Sequence, residues 1–221
     1  MDKATILADC ALFRGISAGH RQALVRMAKK MAFKTGALVF KQDDPCPGIY
    51  CVGTGIIRVY RIGGGGKEHT LHMVGPGQTF AEVAVIGGFP CPAFAEVTQA
   101  AECVLLPNQH IQNMLRTEHA FCLELLVGMS HWVRHLTGFL EDFTLRDASG
   151  RVARHLSQAK PDARGTIGLP GLKKHIASHL NLTSETFSRV LRKLADADVV
   201  EIIDDKRLRV LDRAALENLG G

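Results

Sequence analysis

The chain has 221 residues, 46% of them hydrophobic and 22% charged, with 27 Lys and Arg against 22 Asp and Glu. That suits one domain of ordinary size plus a smaller one, and it excludes disorder as the main state. No apolar run reaches the ~20 residues of a membrane helix, and Met1-Asp2-Lys3-Ala4 begins no signal peptide, because Asp9 and Arg14 break the first apolar stretch. The expected location is the cytoplasm, where the six Cys stay as thiols and need not build a disulfide framework.

From the N-terminus, Ser17 to Phe33 has helical spacing at Leu24, Val25, Ala28 and Met31, with Ser17 as N-cap. Up to about residue 105, short apolar runs alternate with glycine: Leu38-Val39-Phe40, Ile49-Tyr50-Cys51-Val52, Gly55 to Tyr60, and Leu71 to Val74. Strands of four to six residues with turns between them predict an antiparallel barrel or roll. Gly63 to Gly66 marks a hairpin tip; no Gly-Lys-Ser/Thr follows it, which excludes a nucleotide-hydrolysing P-loop.

Beyond Pro107 a long helical stretch runs to Leu145. In it Cys122, Leu125, Met129, Trp132, Leu136, Phe139 and Phe143 are spaced alternately by three and four residues, the a/d seam of a coiled coil. Leu126, Val133 and Leu140 widen the stripe, so the helix is expected to touch its own roll along one edge and to face a second copy through the seam, in a parallel homodimer. His131/His135 and His175/His179 have the i, i+4 spacing of a metal clasp but no evident third ligand, and read as surface or DNA-backbone histidines.

Most of the positive excess lies in the tail, with 14 basic and 10 acidic residues after Leu145 against 13 and 12 before it. There a short helix around Gly150 to Leu156 precedes a turn-rich segment, and two helical patterns follow, Leu172 to Leu180 and a second begun by Thr183 or Ser184. Two short helices joined by so short a turn describe a helix-turn-helix, and the hairpin of Val199 to Ile203 and Leu208 to Leu211 makes it winged. The second helix of such a unit enters the major groove of double-stranded DNA. Its outward residues are Thr183, Ser184, Glu185, Ser188, Arg189 and Arg192, while Thr186 reaches phosphate. Arg189 suits guanine O6 and N7; Glu185, one turn earlier, suits cytosine N4 and is placed to hold Arg189.

The chain resembles the CRP/FNR superfamily of bacterial transcription regulators over nearly its whole length. The resemblance rests on Leu12-Phe13, Gly36 to Asp43, Tyr50-Cys51-Val52-Gly53-Thr54-Gly55, Gly77-Gln78-Thr79-Phe80-Ala81-Glu82, Gly150-Arg151-Val152-Ala153 and Leu182 to Arg189, in that order and spacing. It implies an α+β protein: an N-terminal antiparallel β-roll like that of cyclic-nucleotide-binding proteins, a long dimerisation helix, and a C-terminal winged helix-turn-helix, with RNA polymerase as partner. The corresponding segments are residues 1–116, 117–145 and 146–221.

Cyclic-AMP-binding members have Phe-Gly-Glu in the phosphate cassette and, about ten residues later, an Arg for the cyclic phosphate. Here the cassette reads Phe80-Ala81-Glu82-Val83, the Arg position falls at Cys91 or Ala93 beside Pro92, and no Lys or Arg occurs between Glu68 and Leu115. Without a cation the phosphate loses its charge-assisted bonds, so cyclic AMP is not the expected effector. The oxygen-sensing branch shares Glu-x-x-Ser-Arg but carries clustered N-terminal cysteines, whereas this chain has only Cys10 there. The cassette and recognition helix look most like the nitric-oxide-responsive, haem-binding branch. In that case His72 and Met73, with His69 nearby, are the local axial-ligand candidates. A regulatory module acting through a protein partner is the alternative function. No nucleophile and base signature points to an enzyme.

Overall fold

The computed structural model describes every residue except 160, 163 and 164, and in the long helix it describes backbone alone at 131, 132, 135, 136 and 138–143. The chain divides into two compact units, Met1–His135 and Leu136–Gly221. Among the described residues no helix is long and apolar enough to cross a membrane.

In the first unit, α1 (Lys3–Asp9) is capped by the Asp2 carboxylate on the Thr5 N–H at 2.8 Å, and a 3-10 turn (Ala11–Phe13) leads to α2 (Ala18–Met27), capped by Ser17. The helix expected over Ser17 to Phe33 is therefore too long. Lys29–Phe33 is a strand, β1, because pairing with Ala101 to Leu105 satisfies its backbone and its side chains alternate. The strands β2 (Leu38–Phe40) and β3 (Gly48–Ile62) follow, then β4 (Glu68–Val74), β5 (Thr79–Phe80), helix α3 (Glu82–Gly87) and β6 (Phe94–Pro107). Strand β6 pairs with β1, β2 and β3, and β3 with β4 and β5, all antiparallel.

The two runs expected at Ile49–Val52 and Gly55–Tyr60 form the single strand β3. It stays continuous by shifting register against β6 around Gly53 and Gly55. Gly55 has φ +80° and lies so close to the Ala100 carbonyl that a Cβ would overlap it.

Helix α4 (Asn108–Thr117) and helix α5 (His119–Leu145) complete the long stretch, with a break at Glu118. His20 of α2 holds that junction, its Nδ1 2.7 Å from Glu124 and its Nε2 3.1 Å from Glu118. The core of the roll takes in Phe13, Leu24, Ile49, Ile57, Leu106, Ile111, Phe121 and Leu125. Each such side chain contributes roughly 1.5–3 kcal/mol by leaving water. Gly128 of α5 lies directly on the Leu12 carbonyl, where a Cβ would overlap it.

The second unit holds α6 (Ala148–Gln158), β7 (Thr166–Gly168), α7 (Lys173–His179), α8 (Ser184–Asp196), β8 (Val200–Ile202), β9 (Arg207–Val210) and α9 (Arg213–Gly220). The expected hairpin is the pair β8–β9, and β7 adds a third strand on the far side of β9. Leu156, Ile167, Ile176, Phe187, Leu191, Leu208 and Leu216 form its core. Arg151 of α6 donates to the Leu180 carbonyl at 3.0 Å, closing the exposed end of α7.

Candidate nucleic-acid interface and effector pocket

The turn between α7 and α8 is made by Asn181, which takes a left-handed conformation at φ +53°. Thr183 then caps α8, its Oγ1 accepting from the Thr186 N–H at 3.1 Å and donating to the Thr186 hydroxyl at 2.9 Å. Of the two expected caps, Thr183 is the one used. Helix α8 is strongly two-faced. Phe187, Val190, Leu191 and Leu194 are buried, while Ser184, Glu185, Ser188, Arg189, Arg192 and Lys193 are exposed together with Thr183; Thr186 is half-buried. Among the described residues no ion pair joins Glu185 to Arg189, so the expected clamp is not formed and both side chains stand free toward solvent. Lys173, at the start of α7, pairs with Asp205 of the β8–β9 turn at 2.8 Å and ties that turn to the helix pair.

His175 and His179, expected at the surface, are buried, because the seven-residue α7 is packed on both sides. The His179 ring lies 6.4 Å from that of His155 on α6, and burial holds the half-buried His155 imidazole down at about 4. A histidine depressed in the folded state takes up its proton only on unfolding. Its stabilising effect is thus complete above the unfolded value near 6.5 and is lost as pH falls toward 4. Denaturant unfolding at pH 7 and pH 5 is expected to show the second unit losing about 1–2 kcal/mol, and the His155→Gln variant to lose that dependence. The His131/His135 pair lies outside the described side chains.

In the first unit, Phe80 is buried at the end of β5 and stacks on Tyr50 with ring centroids 4.7 Å apart, with Phe40 alongside at 5.9 Å. Ala81 turns the chain in the left-handed region, at φ +68°, which aims Glu82 inward at the start of α3. Glu82 is 6% exposed; burial raises its carboxyl above the ordinary range, although the nearby Thr79 hydroxyl works the other way. Among the described residues its Oε2 has no hydrogen-bond partner. Of the other residues expected to line an effector pocket, Cys91 and Ala93 are buried with Phe80 and Glu82, Ala81 is half-buried, and Val83 and Pro92 are exposed.

A cation does enter the roll, from a position ahead of Glu68. Arg58 of β3 is 2% exposed, bonded to Glu68 at 2.7 Å and Thr70 at 2.9 Å, with Glu96 at 3.6 Å and the Tyr60 ring 4.2 Å below its guanidinium. An alternation count places it inside a strand, but only the fold brings Glu68 and Glu96 to it. Its charge is already matched by carboxylates.

His72 and Met73, the local axial-ligand candidates, are neighbours on β4 and both half-buried. His69 is exposed.

On α5, Leu125 is 2% exposed and Met129 packs on the core of the roll, so this part of the expected seam faces inward. The outward stripe is instead Leu123, Leu126, Val127 and Val133, each more than half exposed. The roll takes the a/d edge because it offers a ready apolar surface in the same chain. The side chains of Trp132, Leu136, Phe139 and Phe143 lie outside those described.

Residues 30–118 match the family model of the cyclic nucleotide-binding domain and residues 150–219 that of the Crp-like helix-turn-helix domain. The chain is 26% identical over 196 residues to the nitrogen fixation regulation protein FixK of Rhizobium meliloti, covering 85% of each. It is also 26% identical over 209 residues to the cyclic AMP receptor protein of Thermus thermophilus, covering 94% of this chain and 95% of that one. Among solved structures, FixK2 of Bradyrhizobium japonicum shares the fold with a TM-score of 0.78 at 21% identity, covering 88% of this chain and 98% of that one. With a roll that matches the cyclic nucleotide-binding domain model and a Crp-like helix-turn-helix in this order, the chain belongs to the CRP/FNR superfamily of DNA-binding transcription regulators.

Proposed function

We propose that the protein acts as a homodimer that reads a palindromic operator with α8, recruits or contacts RNA polymerase there, and answers to a small effector of the roll other than cyclic AMP. The observation that carries this reading is the exposed polar face of α8, where Glu185, Ser188, Arg189 and Arg192 stand on a helix fixed by its cap and by a buried opposite face. By family resemblance, Glu185, Ser188 and Arg189 correspond to TTGA-like half-sites. Two-fold symmetry sets the half-sites about one helical turn, roughly 34 Å, apart.

Selection from random DNA is expected to return such a palindrome. In the Arg189→Ala variant, affinity for it should fall by roughly 1–3 kcal/mol, with discrimination relaxed at one base pair per half-site. An unrelated consensus, or unchanged specificity in the variant, would reject Arg189 as the reader.

The effector reading rests on charge. The relatives include a protein named for cyclic AMP and one named for nitrogen fixation. In this chain the position of the phosphate-binding Arg holds buried Cys91 or Ala93, and Arg58 is engaged by Glu68 and Glu96. Among the described residues at these positions, an anionic nucleotide would bury its phosphate without an uncommitted cation to meet it. Calorimetry with cyclic AMP at millimolar concentration is expected to give no binding heat; saturable binding would overturn this and point to Arg58 released from its carboxylates.

A further inference from the structure

Two Pro-Cys-Pro segments, Pro45-Cys46-Pro47 and Pro90-Cys91-Pro92, use half of the chain's eight prolines. The fold sets them against each other. The Asp43 N–H donates to the Cys91 carbonyl at 2.8 Å, and the Cys91 N–H donates to the Asp44 carbonyl at 2.9 Å. The flanking prolines hold φ near −65° and remove neighbouring backbone donors, so both thiols are presented from stiff chain. The thiols are buried, 8% exposed for Cys46 and 0% for Cys91, and near enough for each to bear on the other's ionisation. The Cys46 thiol also donates toward the carbonyls of Gly48 and Ala81, at 3.8 Å each. Ala81 is the left-handed residue that aims Glu82, so the pair touches the cassette. Filling the space would require only small apolar side chains, and two buried thiols set between prolines on paired loops go beyond that.

We propose that Cys46 and Cys91 are a redox-active dithiol, converted by a small hydroperoxide to a disulfide that ties the β2–β3 loop to the α3–β6 loop and stiffens the cassette beside them. In the first step Cys46, the more accessible, loses its proton and its sulfur bonds to one oxygen of hydrogen peroxide. The O–O bond breaks, and the departing hydroxide takes up a proton to become water. In the second step the Cys91 sulfur attacks the sulfenic sulfur of Cys46. The S–S bond forms, the S–O bond breaks, and the leaving hydroxide takes the Cys91 proton. Two thiols and one peroxide thus give one disulfide and two waters.

Burial pushes both thiols up, Cys91 to about 12, and the titratable groups beside them, Asp44, Glu82 and Tyr50, supply no positive charge. The reaction is therefore slow and selective for a small uncharged oxidant. The same burial favours the uncharged disulfide over a charged sulfinate.

The test uses the full-length reduced protein and hydrogen peroxide, followed by denaturation in iodoacetamide and peptide mapping. A Cys46–Cys91 linked peptide is expected, lighter than its two parts by two hydrogens and released by dithiothreitol. Cys10 and Cys51 also bear on each other's ionisation and are fully buried, but no proline flanks them; they should stay alkylatable. Hydrogen exchange across residues 81–93 should slow severalfold in the linked protein. Free Cys46 and Cys91 after treatment, separate over-oxidation of each without linkage, or equal linkage of Cys10 to Cys51 would overturn the dithiol. Unchanged exchange in a fully linked sample would overturn the stiffening. No variant is required, so a folding defect cannot stand in for a negative result.

Discussion

Replacing Leu126 by glutamate is expected to leave the protein monomeric at micromolar concentration and to weaken binding to a palindromic operator by about 100-fold or more. Leu126 is 60% exposed in the middle of the outward stripe of α5, while Leu125 and Met129 beside it are spent on the roll. A symmetric contact would bury Leu126 of both copies, so one substitution places two unpaired carboxylates in an apolar interface. Removing the complement of one buried charge costs about 3–5 kcal/mol, enough to dissociate a dimer of ordinary affinity. Each half-site alone then binds weakly, because the linked second contact is gone. Sedimentation and operator titration on the same samples check this, with Leu126→Ala expected to lose less. A glutamate variant that still sediments as a dimer would place the contact elsewhere.

Phe187→Ala is expected to cost the second unit about 3–5 kcal/mol, a large part of what a domain of this size has. Phe187 is 0% exposed and anchors α8 to the core formed with Ile176, Leu191, Leu208 and Leu216. With the anchor gone, the face that presents Ser188 and Arg189 is no longer held in one orientation, and operator binding should vanish near physiological temperature although no exposed residue has changed. Denaturant unfolding followed by circular dichroism, with limited proteolysis to identify the unit that opens, measures this. A loss below about 1 kcal/mol would mean that the neighbours collapse into the space.

The recognition helix was the most legible part of the sequence because its two signals are local: a cap residue after a broken period, and apolar positions at helical spacing with charge on the other side. The long helix was legible as a helix but not in its facing. A seam at Leu125 and Met129 reads the same whether it meets a second copy or the chain's own roll, and only the packed roll decides between them. Lys29–Phe33 reads as the end of a helix because five residues carry too little period to separate the two patterns, and pairing with β6 is a nonlocal fact. The Arg58 site is illegible for the same reason: Glu68 and Glu96 come from different strands, and no spacing along the chain brings them together. Helices α1 and α9 are short and marked mainly by their caps, Asp2 and Asp212, which are weak signals without an apolar run behind them.

The seating of Gly128 on the Leu12 carbonyl bears on the angular setting of α5. A helix in contact with a roll only through side chains can turn about its axis at small cost, but backbone lying on backbone leaves no such play. One residue of slip would turn the helix by about 100°, carrying Leu125 and Met129 out to solvent and the Leu126 stripe aside. The short N-terminal turn therefore works as an indexing stop: it fixes which row of leucines and valines the protein shows to the outside. Sequence changes around Leu12, remote from the stripe along the chain, can alter how that row is presented without altering any of its residues.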